Sequence, residues 1–304
     1  MSTPTHELEA ASAPPQEAHR SLERRPLERR PLERALRWNR SSTVLLSAFL
    51  LTLGVIVYVW WPLAQEVLAT FDPRYPWWVQ MDWLLVGNFL VMSLLLVLGA
   101  DLRTDALVVL VGLAGGLAIE GWGTQTEIWT YYTLERPPLW IIPAWPIASL
   151  SIDRLVRLLH LALPPLPERA FSERAFYERA RRWSYALVFG GFYALMLAFT
   201  WHTLDKSLTL LALAACALMI LSPTDRRLAL LTFGAGAGLG YFLELWGTTR
   251  ECWTYYTLQQ PPLFAVLAHG MAAVALWRTG LLLRALASAF GRWYSRRRDM
   301  VPST

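Results

Sequence analysis

Cysteine is scarce in this chain: there are two, Cys216 and Cys252. One lies in an apolar run and one in a polar stretch, so they form neither a disulfide framework nor a metal set. No phosphate-binding loop, zinc-ligand spacing or nucleophile elbow occurs, and no cofactor or metal is expected. Charge is scarce too, at 17% of 304 residues, and it is crowded into the first 40 residues, the region near 163–183 and the last dozen. The stretches between are almost uncharged in a chain that is 55% hydrophobic, which excludes an ordinary soluble domain. The first 40 residues carry no apolar segment of the kind a cleavable signal peptide needs, so none is expected.

What fills the uncharged stretches is Leu, Ala, Val and Trp in runs of helix-spanning length. About 20 such residues cross a bilayer core ~30 Å thick, and only helices or closed barrels can do so. These runs are too long and too rich in Leu and Ala for barrel strands. The expected fold is an all-α polytopic membrane protein with eight transmembrane helices, near 44–63, 84–100, 106–122, 139–163, 184–201, 207–222, 228–246 and 263–286. Pro143 and Pro146 are expected to kink the fourth of these. Pro137-Pro138 and Pro261-Pro262 are expected to start the fourth and the eighth.

The domain reading follows. Residues 1–40 form a basic disordered tail, 41–163 a first four-helix repeat and 164–183 a charged linker along the membrane surface. Residues 184–290 form a second four-helix repeat and 291–304 a basic tail. Pro26 and Pro31, five residues apart, break helix in SLERRPLERRPLERALRW, and its glutamates weaken the field that nucleic acid would need. The tail is therefore expected on anionic lipid headgroups, with no nucleic-acid partner. With both termini and the linker cytoplasmic, only Arg74, Arg136, Lys206 and Arg250 of the 28 basic residues fall outside, leaving 24 inside. Basic loops stay on the cytoplasmic side, so this is the expected orientation in the cell membrane.

One stretch organises the rest. EGWGTQTEIWTYYTLERPPL at 120–139 returns as ELWGTTRECWTYYTLQQPPL at 244–263, identical at 14 of 20 positions. Such internal similarity marks a duplication. It reaches further: Asp101-x-Arg103 aligns with Asp225-x-Arg227, and Gly112-x-x-x-Gly116 with Gly236-x-x-x-Gly240. Glycines four apart face one way and admit another helix, so Gly112, Gly116, Gly236 and Gly240 are read as packing positions on two central helices, placed against each other. Four helices per unit is an even number, so the units are parallel repeats about an axis along the membrane normal.

Glu120 and Glu244 carry the chemical interest. Each lies about 21 Å along its helix from the cytoplasmic end, at ~1.5 Å per residue, just inside the outer interface. A carboxylate there needs a partner, a proton or a wet cavity. As a proton donor it is a general acid; as a structural group it pairs with Arg136 or Arg250 in a salt-bridged lid. Trp122, Trp129, Tyr131, Tyr132, Trp246, Trp253, Tyr255 and Tyr256 fit an interfacial aromatic belt, and they equally suit a cation-sheltering substrate site. The loop also holds Glu127 and Glu251, read as solvated. The copies differ where Trp145 is replaced by His269, an ionisable group that could serve Glu244.

The order Glu, Gly, Thr, a tyrosine-rich segment, Pro and an apolar helix with Ala144-Trp145 resembles the carotenoid-biosynthesis membrane proteins, including hydratases of acyclic carotenoids. It departs from that pattern in lacking a Phe-Gly pair before the tyrosines and in occurring twice. The resemblance implies a hydrophobic isoprenoid ligand and Glu120 or Glu244 as the acid for alkene hydration or isomer chemistry. Two other classes stay open: a scaffold or assembly subunit with membrane-complex partners, and a transporter or pigment carrier. Enzyme and scaffold divide on whether the glutamates face a cavity or a packed wall.

Overall fold

A computed structural model describes residues 38–163 and 171–299. Among these, nine α-helices account for nearly all regular structure. They are α1 (Arg40–Val59), α2 (Trp61–Ala69), α3 (Trp83–Val97), α4 (Leu102–Gln125), α5 (Ala144–Ala162), α6 (Phe171–Thr200), α7 (Ser207–Leu221), α8 (Arg226–Thr249) and α9 (Leu263–Asp299). Two short strands, β1 (Trp129–Tyr131) and β2 (Trp253–Tyr255), complete the set. Five helices are long and apolar enough to cross a membrane: α1, α4, the Ala175–Thr203 stretch of α6 and the 3-10 turn Trp201–Thr203 that follows it, α8 and the Leu263–Tyr294 part of α9. The protein is all-α, with the helices of a membrane protein. α3 and α7 are apolar but shorter, at 15 residues each.

Local chemistry sets where the helices begin. Asn39 caps α1 in a reciprocal capping box with Ser42, and both side chains reach the end of α3, at Ala100 O (3.0 Å) and Val97 O (3.3 Å). The aligned aspartates Asp101 and Asp225 are the N-caps of α4 and α8, bonding Arg103 N at 3.1 Å and Leu228 N at 2.9 Å.

Several expected boundaries move. α5 starts at Ala144 rather than 139, so Pro143 is its cap and Pro146 lies in its first turn. A first-turn proline has no intrahelical N–H to lose, so neither kinks the helix, and Pro137-Pro138 sit in the preceding loop. Residues 171–183, expected in a surface linker, belong to the 30-residue α6. No Gly or Pro interrupts it there, and Glu178 and Arg181 pair one turn apart. α9 likewise runs on to Asp299 through residues expected in the basic tail, because Ala, Leu and Arg favour helix. Residues 1–37, most of the expected N-terminal tail, and 164–170 lie outside the described residues.

The centre is a ring of four helices. α4 packs on α5 and α9, and α8 packs on α9 and α5. α1 and α3 flank α5, while α6 and α7 flank α8 and α9. The paired glycines face these neighbours and not one another, which corrects the expected contact between their helices. A Cβ on Gly112 would sit 2.9 Å from Pro146 Cα, and one on Gly116 2.3 Å from the Trp145 ring. On Gly236 it would meet His269 O at 2.7 Å, and on Gly240 His269 Cβ at 2.4 Å. Glycine lets α5 and α9 approach closely at the level of Trp145 and His269. A buried aromatic cluster with Phe189, Phe192, Phe233 and Phe264 fills the α6–α9 side, and Leu96, Phe49 and Leu150 fill the α1–α3–α5 side.

Candidate functional site

Beyond α4 and α8 the chain folds back on itself twice in the same way. A Cβ on Gly123 would lie 1.8 Å from the Trp129 ring, and one on Gly247 2.0 Å from the Trp253 ring. The glycine of Trp-Gly-Thr thus makes room for the indole that follows. The next residue, Thr124 or Thr248, donates to the carbonyl of Glu120 or Glu244 at 2.6 Å, satisfying the end of the helix. Glu127, Leu134, Glu251 and Leu258 adopt left-handed backbone (φ between 55° and 63°) and turn the two loops. The strands pair antiparallel, Trp129 opposite Tyr255, Thr130 opposite Thr254 and Tyr131 opposite Trp253. Trp129 meets Tyr255, and Tyr131 meets Trp253, both at 5.9 Å between ring centroids.

The strands, together with α5 and α9, bring three polar side-chain atoms to each carboxylate. Glu120 Oε1 accepts from Tyr131 OH (2.9 Å) and Trp145 Nε1 (3.1 Å), and Oε2 from Trp129 Nε1 (3.1 Å). Glu244 Oε1 accepts from Tyr255 OH (2.9 Å) and contacts His269 Nε2 (2.9 Å), while Oε2 accepts from Trp253 Nε1 (2.9 Å). Both glutamates are 4% exposed. Burial pushes the Tyr131 and Tyr255 phenols well above the ordinary tyrosine value, so both remain neutral donors. Trp145 and His269 stack across the middle, 6.1 Å apart and 15° from parallel.

Both carboxylates line one cavity of about 160 Å³, walled by Trp129, Tyr131, Trp145, Trp253, Tyr255 and His269. The expected aromatic set divides here. Trp129, Tyr131, Trp253 and Tyr255 line the cavity and bond the carboxylates; Trp122 forms part of the wall but donates to Thr209 at 3.3 Å. Tyr132 and Tyr256 bond the carbonyls of Val59 and Phe199 and fasten the loops to α1 and α6. Trp246 donates to Asp82 at 2.9 Å, away from the pair.

Two expectations are corrected. The salt-bridged lid is absent, because Arg250 bonds Asp82 (3.0 Å) and Arg136 pairs with Glu127 (2.6 Å). The Arg136 guanidinium beside Glu127 holds its carboxyl below the usual carboxylate range. Trp145 is no inert counterpart of His269; it is the third donor to Glu120. Its alignment with His269 at the common offset carried that signal. Among the described residues, no group of three or more His, Cys, Asp or Glu is placed to hold a metal ion. No family model, curated protein or solved structure matches the chain.

The two halves of the site differ in what their partners can do. Indole N–H groups only donate, so Trp129 and Trp145 demand an acceptor from Glu120. His269 Nε2 donates or accepts according to tautomer, so Glu244 can hold a proton facing it or release one to it. The arrangement sets two carboxyl groups, one facing an imidazole and one facing only indoles and a phenol, on one aromatic cavity.

Proposed function

We propose that the chain is a multi-pass cell-membrane protein whose paired glutamates carry out acid chemistry on a membrane-embedded isoprenoid alkene. Eight crossings in two parallel four-helix units place the motif loops on the outer face and both termini in the cytoplasm, in keeping with the 24 to 4 division of basic residues. A cysteine introduced at the exposed Glu251 is then reached by an impermeant maleimide from the outer face; labelling from the cytoplasmic face alone would overturn the orientation. Cys252 gives no background, since it is 2% exposed and burial pushes its thiol up to about 12.

The observation that carries the chemical reading is the enclosure of both carboxylates in one aromatic-walled cavity. A scaffold would call for a packed wall at this place. Glu244, as the carboxylic acid, gives its proton to the less substituted CH carbon of a terminal trisubstituted alkene; the C–H bond forms as the O–H bond breaks. The tertiary cation lies against the faces of Trp129, Trp253 and the tyrosines, with the Glu120 carboxylate opposite. Water then adds its oxygen to the cation and returns its extra proton to Glu244, so the net change is addition of one water. Where no water reaches the cation, loss of a neighbouring proton to Glu244 shifts the double bond instead. His269 exchanges the proton of Glu244.

Protein in detergent, supplied in deuterium oxide with an acyclic carotenoid and with geranylgeranyl diphosphate in parallel, is expected to place deuterium at the CH carbon of the terminal double bond of at least one of them. Deuterium in neither would overturn the acid reading.

A further inference from the structure

Next to the glutamate cavity, between α4, α5, α8 and α9, lies a second cavity of about 510 Å³, and Ser149, Ile152, Ala273 and Leu276 stand in the walls of both. The order along the helices gives its direction. Going from Trp145 along α5, and from His269 along α9, the wall passes from the first cavity through the shared residues into the second. The far mouth has Arg157 twelve residues beyond Trp145 and Arg284 fifteen beyond His269, or about 18 and 22 Å at ~1.5 Å per residue.

The walls between are apolar: Val108, Val111, Val156, Leu228 and Trp277 among them. The mouth is cationic. Arg157, His160 and Arg284 stand there, and His160 Nδ1 contacts Arg227 at 2.8 Å. Asp153 is the acidic residue in the wall, and it is already shared between Arg154 (2.7 Å) and Arg157 (2.8 Å). Among the described residues Arg284 has no ion pair. An apolar tube with positive charge at one end and acid at the other suits an amphiphile with an anionic head and a reactive tail end.

We propose that the two cavities together bind a prenyl phosphate or diphosphate of geranylgeranyl length, its head among Arg157, His160 and Arg284 and its terminal alkene beside Glu244. This rests on the acid reading for the role of the tail end, and narrows the substrate to isoprenoids with an anionic head. A tube of about 20 Å takes roughly three to four isoprene units. The head lies on the side that the charge distribution assigns to the cytoplasm.

Binding separates this proposal from the acid reading. The full chain is placed in phosphatidylcholine nanodiscs with radiolabelled geranylgeranyl diphosphate. The diphosphate is expected to bind at least about tenfold more tightly than geranylgeraniol, with inorganic diphosphate a poor competitor. The double variant Arg157→Gln/Arg284→Gln is expected to lose at least about tenfold for the diphosphate and nothing for the alcohol. Acid chemistry is read separately, by solvent-deuterium incorporation, so its failure leaves the binding result standing. Gly280 lines the tube and a Cβ there meets nothing within 4 Å, so Gly280→Leu fills space without a clash and should weaken both ligands. Should the arginine variant unfold, unchanged binding in Gly280→Leu would overturn the proposal by itself. Equal binding of alcohol and diphosphate would overturn it as well. So would displacement of the label by phosphatidylglycerol as effective as by unlabelled ligand, which would make the occupant a bilayer lipid.

Discussion

Glu244→Gln is expected to fold like the parent and lose proton transfer by about 10²–10⁴-fold, whereas Glu120→Gln is expected to lose about 1–3 kcal/mol of stability as its first effect. The difference follows from counting donors. A glutamine side chain offers one accepting oxygen and an NH₂ that only donates. At 244 the oxygen can face Trp253 Nε1, leaving the NH₂ opposite Tyr255 and His269. A phenol oxygen accepts, and His269 accepts in its other tautomer, so the amide and the ring nitrogens stay paired and only the rotatable Tyr255 O–H gives up its acceptor. At 120 the two indoles sit on different oxygens, Trp129 on one and Trp145 on the other. Either orientation of the amide sets its NH₂ against an indole N–H, and that buried donor goes unpaired. Denaturant unfolding in detergent and solvent-deuterium incorporation measure the two effects separately. Equal destabilisation by both substitutions would show that the tautomer of His269 does not matter. Full activity in Glu244→Gln would remove it as the acid.

The repeated motif was plain in the sequence because its Trp, Tyr, Pro and Gly residues are costly to place and matched at a fixed spacing. Glu120, Glu244 and His269 could be singled out for the same reason: ionisable groups stand out in apolar runs. The meeting of the two loops was not legible. Strands of three residues have no periodicity to detect, and the Trp129–Tyr255 pairing joins segments 126 residues apart. Nor could an indole on one helix be told from a lipid-facing one. Trp145 and Trp129 turn inward to Glu120, while Trp83 and Trp201 lie exposed, and all four look alike in an apolar context. The glycine pairs were read as packing positions, but glycine spacing does not name the neighbour, which is why α5 and α9 had to come from the structure. Helix ends in charged sequence were misjudged at 171–183 and after 286, since charge alone does not stop a helix, and neither segment contains a proline.

The other large effect lies at the opposite end of α4 and α5, in the buried charge pair of Asp105 and Arg154. Arg154→Met is expected to cost about 3–5 kcal/mol, because it strands a buried carboxylate. Asp105 is 1% and Arg154 2% exposed, and Arg154 Nη2 meets Asp105 Oδ2 at 2.5 Å. Without Arg154, Asp105 keeps the backbone N–H of Asp101 (3.0 Å), and its Oδ1 has no partner already. Removing the other member is expected to cost less. With Asp105→Asn, Arg154 still holds Asp153 at 2.7 Å and Leu98 O at 3.1 Å. The second half of the chain shows the same arrangement without the carboxylate. Ala229 stands where Asp105 does, and Arg278, in the place of Arg154, reaches Met219 O and the Ser222 hydroxyl (3.1 Å). An arginine there is tolerated on neutral acceptors, but a carboxylate without its arginine has no such precedent. The double variant Asp105→Leu/Arg154→Met removes both charges and should recover most of the loss, to within about 1 kcal/mol of the parent. Unfolding of the three variants in one detergent decides the matter. If Asp105→Asn costs as much as Arg154→Met, or the double variant is no better than Arg154→Met, packing of the arginine stem rather than charge holds α4 to α5.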